Sequence, residues 1–145
     1  MINRIWDPGN KFTEGVLKEY ENWVLEVSHK QHTLGCYIIF AKRPVERISG
    51  LTDEEIKELK DIMKEVENAL LKSDAFRPDR FNYLQLGNVV HQLHFHGVPR
   101  YSSPRVFDNK EWSDKNWGKP VILSNEVSSN ELIRKIRDAI KPLLR

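Results

Sequence analysis

The chain has 145 residues, with 23 Lys plus Arg against 21 Asp plus Glu, a net charge of +2 and one cysteine, Cys36. That length can bury a core without disulfides or a structural metal, the balanced charge with no basic tract argues against wrapping a long nucleic acid, and one cysteine excludes an internal disulfide framework. No apolar run approaches the roughly 18 to 20 residues that span a bilayer, and the opening segment MINRIWDPGNKF lacks the apolar stretch of a signal peptide; the expectation is a soluble, cytoplasmic protein with a single domain over residues 1–145.

Residues 23–30 alternate Trp23, Leu25 and Val27 with Val24, Glu26 and Ser28, and residues 36–41 are continuously apolar. Both are predicted strands, joined by a hairpin loop at residues 30–34, with Gly35 opening the second. Thr52 and Glu55 form a capping box, after which Ile56, Leu59, Met63, Val66 and Leu70 recur at intervals of three and four; this predicts the long helix of the fold. Its charged face, from Glu54 to Glu65, reads as solvated helix surface and receives no function. Residues 81–86 and 89–98 are two further predicted strands, turned at Gly87 and Asn88. Ser128 with Glu131 forms a second capping box ahead of Leu132, Ile133, Ile136 and Ile140, and Pro142 stands where that helix should end. The fold class expected is α+β: a mostly antiparallel sheet of about five strands, a long central helix and a C-terminal helix.

The chemistry concentrates in VVHQLHFHGVPR, residues 89–100. Strand alternation places Val90, Gln92, His94, His96 and Val98 on one face and His91, Leu93, Phe95 and Gly97 on the other. Neighbours on one face lie about 6.5 to 7 Å apart, so one phosphate group can touch both imidazoles and the Gln92 amide, while Leu93 and Phe95 anchor the strand to a core. Two alternatives stand beside this reading. One is ordinary half-buried histidine packing. The other is a metal site, which needs a third ligand from His29, His32, His91 or a carboxylate that the spacing does not supply; no metal and no cofactor is expected.

The stretch Gln92-Leu93-His94-Phe95-His96-Gly97-Val98-Pro99-Arg100 resembles the signature of the histidine-triad (HIT) proteins, nucleotide hydrolases and transferases that carry His-φ-His-φ-His-φ-φ, often followed by Pro-Arg. GCYIIFAKRPVERISGL, residues 35–51, is similar to the family's strand and turn before its long helix, and NYLQLGN, residues 82–88, to its penultimate strand. The resemblance covers residues 23–101. It implies a HIT-like fold and catalysis through a nucleotidyl-histidine intermediate, with His94 attacking an α-phosphate and His96 binding phosphoryl oxygens or assisting the leaving group. Gln92 stands where the first triad histidine usually falls, and it can donate a hydrogen bond but cannot change charge near neutrality.

Asn88, Asn82 and Gln85 are candidates for contacting phosphate or ribose, against a reading of each as a turn or sheet-edge amide. Arg100 is a candidate for a distal phosphate or a brace for the turn, and Arg43 and Arg47 carry the same two readings. Cys36 is read as packing. By resemblance the base lies in an apolar cleft of the first strands, with Trp23, Leu25, Val27 or their opposite-face neighbours as its wall. Trp6, Trp112 and Trp117 can stack on a base, cover the core or build an interface. The substrate implied is a dinucleoside polyphosphate, a nucleoside phosphoramidate or a related nucleotidylated small molecule. The alternative is a catalytically weak nucleotide-binding or sensing module. A homodimer is implied by the resemblance, and residues 102–120, rich in charge and tryptophan, are expected to fold over the site or merely connect elements.

Overall fold

A computed structural model describes residues 13–145; Trp6 lies outside the described residues. The expected α+β architecture is present. Five strands, β1 (Val16–Glu19), β2 (Trp23–Val27), β3 (Tyr37–Ala41), β4 (Arg80–Leu84) and β5 (His94–Arg100), form one sheet in the order β1-β2-β3-β5-β4. Every pairing in it is antiparallel. The long helix α1 (Asp53–Lys72) follows β3, and α2 (Asn130–Ile140) lies near the C-terminus. Strands β6 (Arg105–Phe107) and β7 (Lys110–Trp112) form a separate hairpin. Its turn residues Asp108 and Asn109 take φ of 55° and 58°, the left-handed region that a tight two-residue turn requires. Among the described residues no helix is long and apolar enough to cross a membrane.

Helix α1 begins as its sequence dictates: Thr52 accepts from the Glu55 backbone N–H, and the Glu55 carboxylate accepts from that of Thr52. Its inner face, however, is Glu55, Leu59, Ile62, Val66, Ala69 and Leu70, while Ile56 is 46% exposed. The face is rotated from the expected stripe because Glu55 turns inward, where Arg43 donates to both of its oxygens. That guanidinium holds the Glu55 carboxyl down at about 2. Arg43 is therefore a brace. Trp23 donates its indole N–H to the Glu55 carbonyl at 2.9 Å, which fixes the start of α1 to β2. In α2 the cap is Ser129, one residue later than expected; it accepts from Leu132 N–H, and Ile133, Ile136 and Ile140 are buried.

Registers continue across β2, β3 and β5: Leu25 faces Ile39, which faces Phe95, and Val27 faces Tyr37, which faces Gly97. These residues meet the buried faces of α1 and α2 in the main apolar cluster. Gly97 is required there, since a Cβ would stand 2.1 Å from the Tyr37 ring. The ring thus passes beneath β5, and its hydroxyl lies 2.7 Å from that of Tyr83, which donates to Glu67 of α1 at 2.6 Å.

The hairpin before the histidines differs from expectation. Strand β5 begins only at His94, and residues 85–93 are irregular. The backbone of Leu93 is committed elsewhere: its carbonyl accepts from Ala41 N–H and its own N–H donates to the Val45 carbonyl. It therefore pairs with the chain leaving β3 rather than with β4.

Candidate active site

Strand β5 lies between β3 and β4, so its middle is held on both sides by backbone ladders. His94 stands opposite Phe40, and His96 opposite Ile38 on one side and Leu84 on the other. Phe40 stacks on the His94 ring, with centroids 4.8 Å apart and planes 22° from parallel. The two imidazoles meet edge-on at 5.0 Å. The His94 ring is thereby in aromatic contact with both Phe40 and His96.

His94 Nδ1 lies 2.8 Å from the carbonyl oxygen of Gln92. A carbonyl only accepts, so Nδ1 carries the hydrogen and donates it, leaving the lone pair on Nε2. Burial lowers the His94 pKa, and the hydrogen bond to Gln92 partly opposes it. His96 is pushed down to about 4, first by burial and then by the charges of His94, His32 and Lys30. Both rings are neutral at pH 7. The arrangement supplies an oriented imidazole with a free Nε2 beside a second neutral imidazole.

Gln92 is placed differently from the expected polar row. It lies just ahead of β5 with its side chain buried, and its amide donates to the Ala41 carbonyl. Its backbone oxygen, not its amide, addresses His94. The amide oxygen has no partner among the described residues.

Arg100, which is buried, and Asn82, which is exposed, are drawn into one hydrogen-bonded network. Arg100 Nε donates to Asp114 at 2.7 Å, Nη1 to the Asn82 side-chain oxygen at 2.7 Å, and Nη2 to the carbonyls of Asn116 and Lys119. The Arg100 and Asp114 side chains are only 4% and 2% exposed. Arg100 braces the 114–119 segment against β5 through Nε, Nη1 and Nη2. Sequence reasoning missed Asp114, which gave no local signal because its partner is 14 residues away. Gln85 is half-buried and Asn88 exposed in the irregular loop ahead of β5. Arg47 is exposed and His91 likewise. Trp23, Leu25 and Val27, considered for a base wall, belong to the main core; their opposite-face neighbours remain on the histidine side. Cys36 is buried, with its thiol pushed up by burial.

His32 was considered only as a metal ligand. Its Nδ1 accepts from Ser124 N–H at 2.8 Å, and burial lowers its pKa. Among the described residues no three His, Cys, Asp or Glu side chains group to hold a metal ion. A cleft of about 830 Å³ runs between β4 and residues 117–123 and is lined by Leu84, Leu86, Arg100 and Trp117 among others. Neither histidine lines it; Leu84, which stands opposite His96, and Tyr83, which stands opposite Gly97, do.

The fold and the paired histidines define the class as an α+β sheet protein with a His-x-His strand at its centre. The chain belongs to the HIT domain family, whose profile matches residues 14–103. Its structure is similar to that of a histidine triad (HIT) protein from Sinorhizobium meliloti 1021, 22% identical over 91% of each chain with a TM-score of 0.70. It is also similar to a hypothetical histidine triad nucleotide-binding protein from Sulfolobus tokodaii strain 7, 21% identical over 88% of this chain and 84% of that one, with a TM-score of 0.59. A zinc-bound histidine triad family protein from Mycobacterium smegmatis is 17% identical over 88% and 84% of the two chains, with a TM-score of 0.58. No curated protein matches this sequence.

Proposed function

We propose that the protein is a nucleotide hydrolase or nucleotidyl transferase in which His94 attacks the α-phosphate of a dinucleoside polyphosphate, a nucleoside phosphoramidate or a related nucleotidylated small molecule. The observation that supports this most is the bond from His94 Nδ1 to the Gln92 carbonyl, because it fixes the ring in the tautomer whose Nε2 is unprotonated. In the first step the Nε2 lone pair forms a bond to phosphorus, and the phosphorus–oxygen or phosphorus–nitrogen bond to the leaving group breaks with its electron pair. The leaving group collects its proton from solvent or from an imidazole protonated in the complex. In the second step water attacks phosphorus, the nucleoside monophosphate departs, and Nε2 regains its lone pair. His96, whose ring centroid lies 5.0 Å from that of His94, can donate a hydrogen bond to a phosphoryl oxygen. A substrate's negative charge would raise its lowered pKa, so its charge state becomes linked to binding.

On this reading Gln92 is a positioning residue. The ring-orienting partner of His94 is a backbone carbonyl, which any residue supplies, so a glutamine in that place is compatible with turnover. Asn88 and Gln85 remain candidate substrate contacts from the loop ahead of β5. Pairing of two copies is part of the same proposal; β4 is an outer strand of the sheet, and light scattering of the purified protein would read the mass directly.

The test is AMP release from a dinucleoside polyphosphate, an adenosine phosphoramidate and ADP, with chelator-treated protein and His94→Ala as control. Release that falls by a factor of about 10³ or more in the variant supports the enzyme. If wild type binds nucleotide yet releases no AMP from any of the three, the protein is the binding or sensing module instead.

A further inference from the structure

The rows of the sheet on the histidine side carry a residue that the reaction above leaves unused. Val24, Phe40 and His94 stand opposite one another across β2, β3 and β5, and Glu26, Ile38 and His96 form the adjacent row. Directly opposed residues share a face. Glu26 is therefore on the face of the two histidines, two strand spacings or about 10 Å from His96.

Glu26 is 0% exposed, and neither of its carboxyl oxygens has a hydrogen-bond partner among the described residues. The buried faces of α1 and α2 go to the main cluster on the other side of the sheet, whereas Ile38 and Phe40 form a separate apolar pair joined by Val90. A buried, unpartnered carboxyl is costly, and an alternating strand could hold an apolar residue there without penalty. Burial keeps the group protonated, with a pKa well above the usual carboxylate range. A protonated carboxyl presents an O–H donor beside a carbonyl acceptor.

We infer that Glu26 is a specificity-determining residue, which reads a nucleobase edge bearing an N–H donor next to a lone-pair acceptor, in the nucleotide whose α-phosphate meets His94. The inference rests on the function proposed above. The direction of the row suits a nucleotide, with phosphate at β5, the apolar Ile38 and Phe40 under the ring system, and the polar edge of the base at β2. An ionised carboxylate would instead call for two donors side by side; the protonated group calls for one of each.

Calorimetric titration with AMP and with purine riboside 5′-monophosphate, which keeps the ring acceptor but lacks the exocyclic amino group, tests the inference. Wild type should bind AMP about tenfold more tightly or better, since a site built for a hydrogen bond rejects the analogue that lacks it. Glu26→Gln, whose carboxamide also sets a donor beside an acceptor, should keep the preference, and Glu26→Leu should bind both ligands alike. An infrared difference spectrum supplies a readout on the wild type itself: a protonated-carboxyl band, absent in Glu26→Gln, should shift on adding AMP and shift less with the analogue. Equal affinities in wild type, or a band that AMP leaves in place, overturn the role of Glu26 while the nucleotide site stands. A folded wild type that binds neither ligand overturns the nucleotide reading, and this inference with it.

Discussion

On one face of the sheet Leu25, Val27, Tyr37, Ile39 and Phe95 join the helices in a single apolar cluster, and the polar atoms that enter it are answered: Trp23 by the Glu55 carbonyl, Tyr37 by Tyr83 and Glu67. On the other face Val24, Glu26, Ile38, Phe40, His94 and His96 come from the same strands by the same alternation. There, among the described residues, the Glu26 carboxyl has no partner, and neither has the Gln92 amide oxygen just ahead of β5. One face completes itself; the other holds polar groups in fixed places without completing them, as a binding site must before its ligand arrives. The rigidity of the first is what gives the second its geometry, because each strand carries both.

The sharpest way to break this contrast is at the brace that closes the far end of β5. Arg100→Met leaves Asp114 buried without its cation and should cost about 3 to 5 kcal/mol in urea unfolding. Adding Asp114→Leu to it should recover a large part of that loss, because the uncompensated charge is gone; no recovery would assign the cost to lost packing instead.

A smaller effect is expected under the sheet. Gly97→Ala drives a methyl group into the Tyr37 ring and should destabilise by about 1 to 3 kcal/mol. Because the insult lies on the helix side, nucleotide affinity measured below the melting transition should stay within a few-fold of wild type. A large loss of affinity with unchanged stability would mean that the two faces are not separable.

The smallest effect is carried by the histidines themselves. Both have folded-state pKa values below the ordinary 6.5, His96 at about 4. Between those values the unfolded chain binds more protons than the folded one, so stability is full above pH 6.5 and falls as the pH drops towards 4. The contribution is on the order of 1 to 2 kcal/mol, and His96→Gln should flatten that part of the stability curve. Glu26, whose pKa is raised, has the opposite sign: its neutral form stabilises fully below the unfolded value, and that stability is lost as pH rises through the folded one.

Much of the fold was legible because it is written in local patterns. The Thr52 and Glu55 capping box, the continuous apolar run of β3 and the alternation around His94 each follow from backbone geometry over a few residues. The helix face was misjudged at Ile56 because Glu55, a carboxylate, occupies the inner position; only its pairing with Arg43, 12 residues earlier, permits that. The start of β5 was set too early because Leu93 finds backbone partners at Ala41 and Val45, which no periodicity within residues 89–98 reports. Ser129 displaced Ser128 as the cap of α2 for a difference of one residue that helix signals resolve poorly.

The sequence by itself determined that two histidines share one strand face, that a long capped helix follows β3, and that the chain resembles the HIT family through His94 to Arg100. Those features depend on residue type and short spacing alone. Tertiary structure decided which nitrogen of His94 is free, that Arg100 braces Asp114, that Gln92 serves through its carbonyl, and that Glu26 lies in one row with His96. Each of these depends on partners brought together across strands and loops, where burial and hydrogen bonding, rather than residue identity, set what a side chain can do.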